Sequence, residues 1–150
     1  MITVRHAMPA DLDIVADFNY RMAQETEGKE LDAAVLRAGV EAGLADADKM
    51  TYYLAQEDGA VVGQMAVTRE WSDWRNGWFW WVQSVYVRRQ SRRQGVFRTL
   101  LRHVEQAARS TPSVIGIRLY VDHDNSNAQQ VYLRLGFKQT GYLLLEKYPL

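Results

Sequence analysis

The 150-residue sequence predicts an α/β (α+β) fold, a mostly antiparallel central sheet flanked by about four helices. Three observations carry that expectation. Apolar residues recur at helical spacing up to Leu44, and from Thr51 the period becomes extended. Asp58-Gly59 stands between two apolar runs, as a hairpin turn does. Finally, residues 78–109 read as a buried strand (78–87), a basic glycine-containing turn (88–95) and an amphipathic helix (96–109).

In chain order, residues 2–5 alternate apolar and polar and form a short first strand. Pro9 suits a first helical turn, and Leu12, Val15, Phe18 and Met22 continue a helix to about Glu25. Beyond Gly28, Leu31, Val35, Leu36, Val40 and Leu44 restart the pattern. The connection Glu25-Thr26-Glu27-Gly28 reads as a solvated helix end. Strands 51–56, 60–68 and 78–87 make a meander, with turns at 57–59 and 72–77. Thr111-Pro112 stops the next helix, and 114–121 is a further strand. Residues 124–127 offer N-caps for a helix over 128–135, which Gly136 closes. Residues 137–139 and 142–147 are expected as the last two strands. All five tryptophans, Trp71, Trp74, Trp78, Trp80 and Trp81, fall in one hairpin. Aromatic residues favour strands and bury large areas, so most are expected in the core and one or two in a pocket.

The length suits one domain over residues 1–150. Eighteen basic and eighteen acidic side chains balance, which argues against a binder of nucleic acid or membrane surfaces held by bulk charge. The balance conceals an acidic first third and a basic middle. No cysteine is present, so disulfides, thiolate metal sites and thiol catalysis are excluded. The N-terminal residues lack an apolar signal core, and no apolar run reaches membrane-spanning length, so a cytoplasmic protein is expected.

A strand, a turn and a helix in that order present backbone N–H groups at a helix N-terminus, where an anion is favoured. Arg88, Arg89, Arg92, Arg93, Arg98 and Arg102 in and after the turn point to a phosphate. Arg98 and Arg102 read equally well as the wet face of the helix. A nucleoside-triphosphate cradle is disfavoured, because 92–99 lacks the Gly-x-x-x-x-Gly-Lys-Ser/Thr pattern.

Two motifs sharpen the reading. The strand ends in Val85-Tyr86-Val87, and Arg92-Arg93-Gln94-Gly95-Val96-Phe97 follows. Further on, Asn125, Ala128, Tyr132, Gly136 and Phe137 keep the spacing Asn-x-x-Ala-x-x-x-Tyr-x-x-x-Gly-Phe. In this order, and with these elements, the chain resembles the GNAT superfamily of N-acetyltransferases.

The resemblance implies strands splayed at an acyl-CoA site, acetyl-CoA as co-substrate and no metal. Amides from Arg93 to Arg98 would cradle the pyrophosphate, and nearby guanidiniums, Arg92 among them, would meet the remaining phosphate. The pantetheine arm would pair with backbone at Val85 and Val87 beside Tyr86, with the helix bearing Asn125 and Tyr132 lining the gap. Tyr132 would donate its hydroxyl to the departing sulfur, and a backbone N–H near Val85 would receive the oxyanion. Gln83 stands where many relatives carry a glutamate base. It would position a water, with Glu70 the leading base and Glu25, Glu27, Asp73 and His123 the others. Phe97 replaces the family's usual small residue and is expected to turn onto the sheet. The acidic connection at Glu25–Glu27 suggests a cationic amine, on a small molecule or a peptide. The expected partners include no nucleic acid and no membrane, and a homodimer is left open. A non-catalytic acyl-CoA sensor and, less favoured, a nucleic-acid-binding domain using the 88–102 arginines are the competing readings.

Overall fold

Five strands follow one another across the sheet in chain order: β1 (Ile2–His6), β2 (Thr51–Glu57), β3 (Ala60–Ser72), β4 (Gly77–Val87) and β5 (Val114–Leu119). The computed structural model describes residues 1–150 as two units, Met1–Leu119 and Tyr120–Leu150. Neighbouring strands β1 to β4 are antiparallel, whereas β5 runs parallel to β4. The difference follows from the connections. Asp58 (φ 49°) and Gly59 (φ 80°) both take positive φ, as a tight hairpin turn requires, while a parallel pair needs a crossover. Helix α3 (Val96–Ser110) is that crossover.

Helices α1 (Leu12–Glu27) and α2 (Ala33–Ala45) form an antiparallel pair before the meander. Gly28 ends α1 in the left-handed conformation (φ 61°), and the Asp32 carboxylate caps α2 by accepting from the amides of Ala34 and Val35 at 2.9 and 3.0 Å. Successive β2 residues point to opposite faces. Tyr52 joins Val15, Val40, Leu54 and Ala66 in the core under α1 and α2. Tyr53 instead meets His103 of α3 edge-on, at 5.3 Å between ring centres. The sheet is therefore covered on both faces. On α3, Val96, Leu100, Leu101, Val104 and Ala108 are buried at helical spacing. Arg5 holds the start of α1 to β1 through a forked bond to Asp11 at 2.8 and 2.9 Å, which keeps the Asp11 carboxyl below its usual range.

The second unit contains α4 (Ser126–Arg134). Asn125 caps its start, accepting from Ala128 N at 3.1 Å. Its end is a Schellman turn: Phe137 N donates to Tyr132 O, Gly136 N donates to Leu133 O, and Gly136 has φ 94°. The Tyr132 and Phe137 rings meet edge-on at 5.6 Å. The motif spacing from Asn125 to Phe137 thus has a local cause, since cap, helix and turn each fix one of its residues. No helix of the chain is long and apolar enough to cross a membrane.

Two expectations are corrected. Trp80 is buried and Trp78 and Trp81 are partly buried, but Trp71 and Trp74 are exposed, so the tryptophans are not mostly core. The reason is length: β2 accompanies β3 only as far as Val67, and beyond it β3 is paired with β4 alone. Residues 137–139 and 142–147 do not form the last two strands. They have strand composition, but a strand exists only with a pairing neighbour, and the sheet ends at β5.

Candidate acyl-CoA site

The register between β3 and β4 breaks at one place. Gln64 pairs with Tyr86 and Ala66 with Gln83, so β4 holds one residue more than β3 across this interval. Ser84 sits in the resulting bulge at φ 50°. Gln64 holds it there: its Nε2 donates to Ser84 O at 3.0 Å and to Asn19 Oδ1 at 3.2 Å, and the side chain is fully buried. Pairing with β5 ends at Val82 and Leu119, so residues 83–87 run on past that neighbour. The bulge and the end of β5 together leave this end of β4 paired with β3 alone, and irregularly. Gln64→Leu is expected to lower stability by about 1–3 kcal/mol, since buried Asn19 and the Ser84 carbonyl lose their shared donor. Urea denaturation checks this; an unchanged midpoint would show that the bulge does not depend on Gln64.

After β4 the chain turns through a short 3-10 segment, Arg89–Ser91, toward α3. Glu25 at the end of α1 fastens this turn. It accepts from the Tyr86 hydroxyl at 3.0 Å and from the Arg92 guanidinium, whose Nε also donates to Val87 O at 3.0 Å. The Arg92 hydrogen bond, foremost, holds the Glu25 carboxyl below its usual range. Glu25 is thus a committed structural carboxylate, not a solvated helix end. Arg88 lies over the Phe18 ring at 5.6 Å, so it too faces inward. Arg93, Arg98 and Arg102 are exposed and enter none of the chain's ion pairs.

Arg93 (φ 63°) and Gly95 (φ 85°) are both left-handed, and α3 begins at Val96. Unlike α2 and α4, α3 has no side-chain cap. Its first intrahelical bond is Thr99 N to Gly95 O, so the amides of Val96, Phe97 and Arg98 come before the helical ladder begins. A Cβ on Gly63 would lie 2.9 Å from Val96 Cγ1 and 3.0 Å from Tyr86 O, so glycine lets the helix start settle against the sheet. Val96, not Phe97, is the residue turned fully onto the sheet; Phe97 is half-buried. An uncapped helix start behind a left-handed glycine, with three exposed arginines, fits a pyrophosphate.

The remaining site candidates are dispersed. Glu70 accepts from Arg118 at 2.7 Å and from Trp81 Nε1 at 3.4 Å. Gln83 donates to Thr68 Oγ1 at 3.3 Å. Gln83 faces Ala66, four residues from Glu70, about 13 Å along the strand at 3.3 Å per residue. The two are not brought together. Glu27 pairs with Lys29, Asp73 accepts from Trp74 N in the hairpin turn, and exposed His123 sits beside Asp124. Asn125 and Tyr132 belong to the second unit, where burial pushes the Tyr132 phenol up.

A cavity of about 470 Å³ opens between α1, α2, β2 and the bulge, with Asn19, Met22, Thr26, Val40, Tyr52 and Ser84 on its wall. Asn19 and Gln64 were not singled out from sequence. Both carry a signal, since each is a polar residue inside an apolar pattern, one among Val15, Phe18 and Met22, the other within 61–67.

Residues 15–137 match the acetyltransferase (GNAT) family. Among solved structures, a possible acetyltransferase from Clostridium difficile 630 is 43% identical, with a TM-score of 0.94 and 100% of this chain and 99% of that one covered. A predicted acetyltransferase with acetyl-CoA from Clostridium acetobutylicum shares the fold at 19% identity, with a TM-score of 0.80 and coverage of 98% and 96%. Comparison with curated protein sequences gives no match. With its bulged β4, its uncapped α3 and the Asn125–Phe137 motif, this chain belongs to the GNAT acetyltransferase family, whose chemistry is acyl transfer from acetyl-CoA.

Proposed function

We propose that the protein transfers an acetyl group from acetyl-CoA to a primary amine on a cationic small molecule or peptide, by direct attack in a ternary complex. The observation that carries this reading is the uncapped start of α3 behind Gly95, next to the bulge in β4. Amides from Arg93 to Arg98 hold the pyrophosphate, with Gln94 and Gly95 forming the turn. Arg93 and Arg98 meet the remaining phosphate, because Arg92 is committed to Glu25. Backbone at Val85, Tyr86 and Val87 pairs with the pantetheine arm, and Asn125 shapes the helix that carries Tyr132. Acetyl-CoA supplies the activated acyl group as a thioester.

The acceptor must lose a proton, which costs about 4–5 kcal/mol at pH 7 for an amine of pKa near 10.4. The cavity beside Ser84 gives the amine a place with Asn19 and Tyr52 as polar partners, and the acidic end of α1 near Thr26 and Glu27 favours a cation. Gln83 orients a water beside the bulge, and Glu70, about 13 Å along β3, receives the proton through a chain of several such waters. The Val85 amide at the bulge is the donor for the developing oxyanion. The setting we propose is cytoplasmic.

Calorimetric titration tests the donor site: micromolar binding of acetyl-CoA, and none of a nucleotide lacking the pantetheine arm, is expected. Thiol release over a panel of amines then tests turnover; binding without turnover on any of them would favour the sensor reading. Glu70→Gln should lower turnover about 10- to 100-fold at neutral pH, with a smaller loss at high pH where the amine is already free. Turnover equal to wild type across that range would take Glu70 out of the proton path.

A further inference from the structure

The cavity beside Ser84 changes character along its length. At its inner end Asn19, Tyr52 and Ser84 gather: Asn19 Oδ1 accepts from Gln64, which also donates to the Ser84 carbonyl, and the Asn19 side chain hydrogen-bonds the Tyr52 hydroxyl. Burial, foremost, raises that phenol, so it stays protonated. The one carboxylate on the wall is Glu27, eight residues along α1 from Asn19 and about 12 Å away at 1.5 Å per residue. It already pairs with Lys29 at 3.2 Å. Most of the remaining wall is apolar, with Met22, Leu36, Val40 and Met50. Gly39 shares that wall, and a Cβ there would meet nothing within 4 Å.

Resting on the acyl-transfer reading above, we propose that the acceptor is a small primary monoamine with an apolar alkyl or arylalkyl body. Its nitrogen lies beside Ser84, its body runs along Met22, Leu36, Val40 and Met50, and the missing side chain at Gly39 makes room for that body. The nitrogen forms an amide bond to the acetyl carbon as the carbon–sulfur bond breaks, and the proton it gives up is the one the CoA thiol gains in the net balance. Burying the nitrogen away from any carboxylate favours its neutral form, which is the nucleophile. A polyamine would carry its inner ammonium groups past Met22 and Val40 with no partner, and unpaired buried charge is costly. A lysine has a short stem, so its peptide groups would rest unpaired among the same apolar side chains. Two methionines make a wall that adapts to straight or ring-bearing bodies.

Calorimetry on the full chain, with and without saturating CoA, tests this with ethylamine, butylamine and hexylamine as probes. Affinity should rise about fourfold per methylene, because each CH₂ moves from water onto the apolar wall. Gly39→Leu should flatten that rise by filling the space, and Gly39→Ala should give an intermediate slope. Leucine and alanine are better helix formers than glycine, so both variants should keep a urea midpoint at or above that of the wild type, with acetyl-CoA affinity unchanged. Thiol release then separates the two readings. A rise that Gly39→Leu flattens, without turnover, would keep the apolar amine as the ligand and count against acyl transfer. Turnover on spermidine or a lysine peptide, with no rise along the series, would keep acyl transfer and overturn the amine class. Equal affinity across the series, no binding of hexylamine, or a wild-type slope in Gly39→Leu would each overturn it as well.

Discussion

Gly95→Asp should weaken acetyl-CoA binding by roughly 30- to 100-fold, about 2–3 kcal/mol, while leaving the protein folded. Gly95 precedes the first residue of α3, where an uncapped helix presents its amides and the positive end of its dipole. A carboxylate there confronts a doubly charged pyrophosphate with a like charge at the point built for an anion. Three features separate this effect from unfolding. A Cβ on Gly95 meets nothing within 4 Å, so no clash follows. The φ of 85° strains any non-glycine residue by about 1 kcal/mol, but aspartate tolerates the left-handed region better than most, and its charge suits a helix N-terminus. Gly95→Asn supplies the control, with the same shape and backbone demand and no charge. Calorimetry should place Asn within a few-fold of wild type and Asp far below it. Equal losses would assign the effect to backbone strain, and no loss in either would remove the cradle from this turn.

How far the sequence reveals this site depends on whether a feature is local. Gly95, Asn125 and Gly136 could be read in advance because a left-handed turn and a helix cap are decided within a few residues. The Asp58-Gly59 hairpin is legible for the same reason. The bulge at Ser84 is not, because it exists only as a mismatch in count between two strands, and neither strand alone announces it. Glu25 shows the same limit. Seen with its neighbours it is a charge at the end of a helix, yet its partners are Tyr86 and Arg92, 61 and 67 residues away. The arginine stripe divides along the same line, since composition cannot tell Arg88 and Arg92, turned inward on Phe18 and Tyr86, from Arg93 and Arg98, which stay free to meet a ligand. The segment 142–147 has strand composition but forms no strand, because composition does not supply a pairing neighbour.

Tyr132→Phe should cut turnover by about 10- to 100-fold and leave acetyl-CoA affinity within about a factor of two. The substitution removes one oxygen and keeps the ring, so the edge-on contact with Phe137 persists, and the Schellman turn that ends α4 rests on backbone bonds alone. The ring contact and the backbone turn at this helix end are therefore kept in the variant. Burial raises the Tyr132 phenol above its ordinary value near 10, so the hydroxyl stays protonated across the neutral range and is a donor there. Complete transfer of its proton to a thiolate of pKa near 8.5 is uphill by at least about 2 kcal/mol. The contribution we propose is then a hydrogen bond to sulfur as charge develops on it. A bond to a charged group is worth about 1.5–3 kcal/mol, and that range sets the expected loss in rate. Because such a bond strengthens only as the carbon–sulfur bond breaks, it should appear in kcat and not in ground-state affinity. The raised phenol also predicts the pH profile: no basic limb from Tyr132 below about pH 10, and a profile of the same shape in the Phe variant. Wild-type turnover in that variant would remove the proposed role, and a parallel loss of affinity would make the hydroxyl a binding group instead.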